Sequence, residues 1–412
     1  MNKKREYVKK RHKLTVKLLT FFVGPFYKWH VGYKRRRIRL SKTDKPYLLI
    51  SNHVQWLDPI LTTLTFGDQI YYLATDHMFF DGFKTKLIKY FFNPIPKSKN
   101  NLDIAALKRV IKVINEGGNV GIFIEGDSTM NGAATNMPGG IGKLALKLKV
   151  PIVLFTFDYS YLKQPRWAKY RRKGTFSGEV QAILRYEDYK DMTDTKLSHY
   201  IEQKVTHNVY DLKPKRFKGK NKAVGLEKVI FNCPKCQTKE NLLVQNDFYL
   251  CCNCGFRITH DDFGYLHSDE WTKYKSLVAV DEENKIAYQD MIVRNKDFRV
   301  TATGHFFLQK INERKEKGVA DIVLDRKSLR FSFRDGEQLT YLLNEIALVT
   351  LAQKETVLIY LKDGQRIMLS LTAATKTFAY EFTVAAQVII NINKYESMNK
   401  PVIKLDVTDL GL

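Results

Sequence analysis

The segment Ser51-Asn52-His53-Val54-Gln55-Trp56-Leu57-Asp58-Pro59 sets a histidine and an aspartate five positions apart, just after an apolar run, Tyr47-Leu48-Leu49-Ile50. An imidazole with an ordinary pKa near ~6.5 can take a proton from a hydroxyl at neutral pH. A carboxylate on its other ring nitrogen would fix the tautomer and stabilise the imidazolium, as in a His-Asp dyad. Residues five apart on a regular helix lie about 140° apart. The pair therefore meets only if His53 stands outside the helix that Asp58-Pro59 begins, with Asp at the cap and Pro in the first turn. The bland alternative is a structural histidine beside a capping aspartate.

A second chemical pattern lies downstream. Cys233-Pro234-Lys235-Cys236 is followed, after fourteen residues, by Cys251-Cys252-Asn253-Cys254-Gly255. Two CxxC knuckles at this spacing form a zinc-ribbon signal. Four thiolates, Cys233, Cys236, Cys251 and Cys254, leave no open coordination position, so the expected metal is structural: zinc, with rubredoxin-like iron allowed by the same ligands. Cys252 is the odd one of five. Disulfides are the competing reading, disfavoured by the CxxC pairs and the lack of an export signal. About 35 residues cannot bury enough core to fold alone, whereas structural zinc supplies ~10–16 kcal/mol in comparable peptides.

The elements around His53 alternate. Tyr47–Ile50 reads as a buried strand, Leu102–Asn115 as an amphipathic helix closed by Gly117-Gly118, and Val120–Ile124 as a second buried strand running into Glu125-Gly126-Asp127-Ser128. A helix-like Gly142–Lys149 then precedes a third strand, Val150–Phe155. Strand-helix-strand alternation is the pattern of an α/β layer, whose sites gather where loops leave the carboxyl ends of the strands. His53 and Glu125-Gly126 both occupy such ends.

In order and spacing, residues 45–160 resemble the glycerolipid acyltransferase superfamily that contains the lysophosphatidic acid acyltransferases. Asn52-His53 through Asp58 matches the family's NHxxxxD motif. Asn93-Pro94-Ile95-Pro96-Lys97-Ser98-Lys99 corresponds to the second motif, Phe123-Ile124-Glu125-Gly126 to the first half of FPEGTRS, and Val150-Pro151-Ile152-Val153 to the fourth. The resemblance implies that His53 deprotonates an acceptor hydroxyl, which attacks the thioester of acyl-CoA or acyl carrier protein directly, while Asp58 orients His53. No GxSxG-type nucleophile motif is present, in keeping with direct transfer. It further implies an acceptor site shaped by Lys97, Lys99, Glu125, Gly126, Asp127 and Ser128. Two departures bear on the acceptor: the second motif ends in Lys99 rather than Arg, and the third, Glu125-Gly126-Asp127-Ser128-Thr129, has no Arg. Arg grips phosphate bidentately and Lys does not, so a lysophosphatidate-like acceptor and an uncharged lipid or glycolipid both stay open. A non-catalytic adaptor with a degenerate acyltransferase fold is the rival class.

The first 40 residues hold 14 Lys or Arg and one acid, Glu6, a net +13 of the chain's +25. Leu14, Leu18, Phe21, Phe22 and Trp29 fall on one side of a helical wheel. The run is shorter than the ~20 residues of a spanning helix and is broken by Gly24-Pro25. A basic, aromatic stretch of this kind predicts a segment lying in an anionic membrane interface, on the cytoplasmic face, peripheral or monotopic; a docking helix with a solvated charged face is the alternative. Aliphatic and Phe residues dominate between the charges, so no nucleic acid is expected. Lys213–Lys222, with six basic residues and no acid, reads as part of a linker.

Beyond the cysteines, Ile322–Leu324, Leu329–Phe333, Val357–Leu361 and Ile367–Leu371 alternate as strands, with a hairpin at Asp363-Gly364. A helix is predicted from about Thr375 to Asn391. Strands closed by one helix resemble a pleckstrin-homology or GRAM-type barrel. The expected architecture is an α/β acyltransferase layer, then a small zinc ribbon, then a mostly-β domain with a closing helix. The expected regions are 1–40 (membrane-interface segment), 41–212 (acyltransferase domain), 213–228 (basic linker), 229–262 (ribbon) and 263–412 (β domain).

Overall fold

The apolar run ahead of the histidine becomes β1 (Leu48–Ser51), buried at every residue in a computed structural model of the chain. Parallel neighbours cover both of its edges: β4 (Asn119–Phe123) pairs Ile122 with Ile50, and β5 (Ile152–Phe157) pairs Leu154 with Ile50. With β2 (Ile70–Thr75), β3 (Ile95–Lys97) and the antiparallel edge strand β6 (Gly178–Leu184), the order is β3-β2-β4-β1-β5-β6. A central parallel strand is covered on both faces, which is why its sequence is apolar throughout and does not alternate. The structure describes residues 5–34, 38–75, 82–97, 104–125, 128–134, 139–239, 241–310, 313–372 and 377–398.

Helices α3 (Asp58–Phe66), α4 (Gly82–Phe91), α5 (Ile104–Asn115) and α6 (Ile141–Leu148) connect these strands. Three more, α7 (Ser160–Lys163), α8 (Tyr186–Tyr189) and α9 (Asp194–Val205), follow β5 and β6. Helix α5 buries Ala106, Val110, Val113 and Ile114, the three- and four-residue spacing of one helical face. Val110, Val113 and Ile114 share a core with Ile50, Ile122, Leu154 and the buried side of α9.

The amino-terminal segment is two-faced. Val8, His12 and Val16, four residues apart, are buried, while Leu14, Leu18, Phe21, Phe22 and Phe26 are exposed. The docked stripe belongs to α1 (Lys10–Leu18) and the residues just before it. His12 Nδ1 meets the Tyr71 hydroxyl at 3.0 Å, and the Glu116 carboxylate accepts the backbone N–H groups of Glu6, Tyr7 and Val8. Docking and an outward apolar stripe are thus not alternatives here, because different faces of one helix serve each. Gly24-Pro25 does not break the run: it opens α2 (Gly24–Val31), and a π turn over Leu19–Val23 precedes it. A π turn accommodates the missing proline donor. The Trp29 side chain lies outside the described residues.

These elements belong to one compact unit, Met1–Arg166 with Arg172–Lys218; the second is Trp167–Arg171 with Gly219–Leu412. The division falls inside the basic stretch read as a linker. Phe217, on one side of it, and Ala223 and Leu226, on the other, are buried.

In the second unit, β7 (Leu242–Gln245), β8 (Phe248–Cys251), β9 (Arg257–His260) and β10 (Leu266–His267) form an antiparallel sheet around the cysteines. Helix α10 (Leu277–Arg294) follows. Seven strands come next: β11 (Arg299–Lys310), β12 (Glu313–Asp325), β13 (Ser328–Phe333), β14 (Gln338–Leu342), β15 (Ile346–Gln353), β16 (Thr356–Leu361) and β17 (Arg366–Leu371). Their order is β14-β13-β12-β11-β17-β16-β15, so the first strand pairs with the last. The closing helix, α11 (Ala379–Ser397), begins and ends later than the sequence pattern predicts and packs on β15 and β16; Thr375 is outside the described residues.

Burial, reinforced by Arg11 and Lys9, holds His12 down at about 4 against an ordinary 6.5. The undocked imidazole binds a proton in that window and the docked one does not, so the docking free energy is complete above pH 6.5 and drains as pH falls toward 4. At pH 5 the loss is about 2 kcal/mol, or roughly thirtyfold. Amide-exchange protection of residues 10–18, corrected for intrinsic rates, should fall by that order between pH 7 and pH 5, and His12→Gln should abolish most of the dependence.

Candidate active site

His53 stands in the loop between β1 and α3, outside the helix as the spacing requires. Its Nδ1 lies 2.9 Å from Asp58 Oδ2. The same oxygen accepts the backbone N–H groups of Val54 (2.7 Å) and Gln55 (2.9 Å). Asp58 is fully buried and occupies the first position of α3, one residue later than the expected cap; Leu57 is the cap. Its carboxylate turns back onto the loop because it finds its donors there.

Two amides fasten the loop to the end of β5. Asn52 accepts from the Phe157 N–H at 2.8 Å and donates to the Phe157 carbonyl at 3.1 Å. Gln55 Nε2 donates to Ser160 Oγ at 2.8 Å. From the other side, the buried Glu125 accepts the His53 backbone N–H at 3.2 Å through Oε1. The imidazole lies over Phe123, with ring centroids 4.8 Å apart. Its Nε2 has no protein partner among the described residues, and the side chain is 26% exposed. The arrangement is a base with a fixed tautomer and one open nitrogen.

Beside the loop lies a cleft lined by Asn52, Val54, Glu125, Thr129, Asp158 and His207, among others. Burial lowers the His207 imidazole below its ordinary range, against the opposing effects of its bond to the Asp158 backbone and the Asp158 and Asp211 carboxylates. Sequence reading offered no signal for His207, which sits alone in a polar stretch.

Of the expected acceptor residues, the structure brings Glu125 to the dyad loop. Lys97 ends β3, three strand steps from β1, or roughly 14 Å at the usual strand spacing. Lys99, Gly126 and Asp127 lie outside the described residues. Arg166 Nη1 donates to the Ser128 carbonyl at 2.7 Å, so a guanidinium reaches the third motif from 38 residues downstream, where no local pattern could reveal it.

In the second unit the four expected thiols converge, with all Sγ atoms within 4.8 Å of one another. Cys233 to Cys254 is 3.6 Å and Cys236 to Cys251 is 3.7 Å. A tetrahedral site with Zn–S near ~2.3 Å has edges of about 3.8 Å, so the donor set fits such an ion. Each knuckle turns through a left-handed residue, Gln237 at φ 59° and Gly255 at φ 75°. Cys252 is exposed, outside the cluster.

Residues 33–157 match the family model described as Acyltransferase. A curated relative, the chloroplastic 1-acyl-sn-glycerol-3-phosphate acyltransferase BAT2 of Brassica napus, is 26% identical over 154 residues, 36% of this chain and 43% of that protein. The chain thus spans less than half the length of that relative. Among solved structures, the chain is similar to the 1-acyl-sn-glycerophosphate (LPA) acyltransferase PlsC from Thermotoga maritima. Identity is 17% and the TM-score 0.40, over 50% of this chain and 85% of that one. The dyad loop and the Glu125 strand end both fall inside the span, residues 33–157, over which the chain matches the Acyltransferase family model.

Proposed function

We propose that the protein is a peripheral membrane O-acyltransferase that moves a fatty acyl group from acyl-CoA or acyl carrier protein to a lipid hydroxyl, as in glycerophospholipid synthesis. The observation that carries this reading is the His53–Asp58 pair, with Nε2 open at the carboxyl end of the parallel sheet. His53 Nε2 takes the hydroxyl proton as the acceptor oxygen attacks the thioester carbonyl. The C–S bond then breaks, and the proton passes from the imidazolium to the departing thiolate. Asp58 holds the tautomer and stabilises the imidazolium.

A lysophosphatidate-like acceptor is favoured by two cations near the sheet's carboxyl edge, Lys97 at the end of β3 and Arg166 beside Ser128. An uncharged lipid is the second reading. The cleft beside the loop has two carboxylates, Glu125 and Asp158, and no Lys or Arg among its described lining residues. Lys99 and Asp127, given acceptor roles by resemblance, remain part of the proposal. No described helix is long and apolar enough to cross a membrane. The exposed Leu14, Leu18, Phe21, Phe22 and Phe26 stripe, set in a strongly basic segment, supports an interfacial location on the cytoplasmic leaflet, where anionic lipid attracts Lys and Arg.

We assign the four thiolates to structural zinc. The seven-stranded order with first and last strands paired, closed by α11, supports a pleckstrin-homology or GRAM-like module.

Purified protein given labelled acyl donor and a panel of lipid acceptors should form a phospholipid product. His53→Ala should cut turnover at least about hundredfold, and His207→Ala much less. Arg166→Ala should raise the Michaelis constant for lysophosphatidate by roughly ten- to hundredfold. Acylation of an uncharged lipid alone would transfer the assignment to the second reading, and no transfer at all would favour the adaptor.

For the membrane, the triple change Phe21→Ser, Phe22→Ser and Phe26→Ser spares the docked stripe and removes three aromatics. Flotation with anionic vesicles should show at least about a tenfold loss of binding, and added salt should weaken wild-type binding. Unchanged flotation would refute an interfacial stripe.

Elemental analysis should give one zinc per chain. Cys236→Ser with Cys254→Ser should release it and expose residues 229–267 to amide exchange, leaving the parallel sheet protected. Zinc-free protein with paired disulfides would overturn the assignment.

A further inference from the structure

Both faces of constraint on the His53 ring trace back to one helix. The in-plane constraint is the bond from Nδ1 to Asp58, the first residue of α3. The out-of-plane constraint is a stack of three rings. His53 lies on Phe123 at 4.8 Å and 28°, and Phe123 lies on Tyr72 at 5.5 Å and 13°.

Tyr72 is itself tethered. Its hydroxyl is 2.6 Å from Thr62 Oγ1 and 3.1 Å from Thr63 Oγ1, one turn into α3. Thr62 Oγ1 is also 2.7 Å from the Asp58 backbone carbonyl, to which it can donate. The path runs Asp58, His53, Phe123, Tyr72, Thr62 and back to Asp58. The sheet makes room for it at Gly121: a Cβ there would fall 2.5 Å from two carbons of the Tyr72 ring. Burial raises the phenol above its ordinary value, with Thr62 and Thr63 opposing, so Tyr72 keeps its proton at neutral pH.

We propose that Tyr72, acting through Phe123, is the positioning residue for the His53 imidazole: a π clamp that holds the ring plane while Asp58 holds the tautomer. The inference rests on the acyl-transfer reading for its kinetic consequence, but its geometry does not. A ring free to tilt about the Asp58 bond carries Nε2 off the line to the acceptor hydroxyl, and displacements near 1 Å can cost about a hundredfold in rate. A π face under the ring also favours the imidazolium that forms as the hydroxyl loses its proton. The clamp therefore belongs to the turnover step and not to binding.

The test uses the full-length protein with ¹⁵N-histidine, His53 being assigned by comparison with His53→Gln. Two quantities are measured for wild type, Tyr72→Leu and Tyr72→Phe: the solvent-exchange rate of the His53 Nδ1 proton, and kcat and KM for acyl transfer. Tyr72→Leu should speed exchange at least about tenfold and lower kcat about 10- to 100-fold, with both KM values within about threefold of wild type. Tyr72→Phe, which restores the ring but not the hydroxyl tether, should recover most of both losses. Tyr72→Leu exchange at the wild-type rate would overturn the clamp, whatever happens to kcat. So would a loss confined to KM. If wild type transfers no acyl group to any lipid, the proposed function fails, while the exchange comparison, which needs no substrate, still decides whether Tyr72 holds the ring.

Discussion

One oxygen, Asp58 Oδ2, organises the His53 loop of the first unit. It gathers the His53 imidazole and the backbone N–H groups of Val54 and Gln55, while Oδ1 is buried with no partner among the described residues. A carboxylate fully removed from water is tolerable only where charge-assisted donors surround it. All three donors come from the five residues before it, so one side chain fixes both the path of the loop and the orientation of the ring. The amino-terminal end of α3, where backbone N–H groups are unpaired, adds a favourable field for the same negative charge.

The sheet supplies the rest of the constraint. The dyad loop leaves β1, the Glu125 turn leaves β4, and the partners of Asn52 and Gln55, Phe157 and Ser160, end and follow β5, the neighbour of β1 on the other side. Parallel strands put all three exits on one edge, and hydrogen bonds across that edge make the loop part of the scaffold. A site on packed strand ends holds its geometry better than one on a free loop. Lys97, by contrast, ends β3, three strands away from β1.

The second unit shows how short elements share a core. Phe231, two residues before the first thiol, packs edge-on against Tyr288 of α10 and also meets Tyr380 of α11. Lys239 reaches Glu381 at 3.2 Å. Within α10, Asp281 pairs with Lys285 at 2.8 Å, and across to α11 it accepts from the Tyr380 hydroxyl. Burial raises the Glu381 carboxyl, although Lys239 and Tyr288 oppose it. The ribbon is therefore not an isolated metal-folded bead; Phe231 on its apolar flank packs against α10 and α11, the helices before and after the seven strands.

The sequence by itself determined the dyad, the thiols and the central strands, because each is a local pattern: a five-residue spacing, two CxxC pairs, unbroken apolar runs. The Asp363-Gly364 hairpin was equally legible, since Gly364 takes φ 89° and the strands pair around it. Helix α10 was not. Its inward face carries Asp281, Asn284, Lys285 and Gln289 among the apolar residues, and a buried ion pair between Asp281 and Lys285, one turn apart on that face, erases the periodicity that marks a buried stripe. The sequence also could not say which face of α1 docks, because both faces are apolar and only contact with Tyr71 and Glu116 distinguishes them. Arg166 beside Ser128, His207 in the cleft with Asn52 and Tyr72 under Phe123 join residues 38, 155 and 51 positions apart. Such pairings exist only once the parallel sheet has set its strand ends side by side.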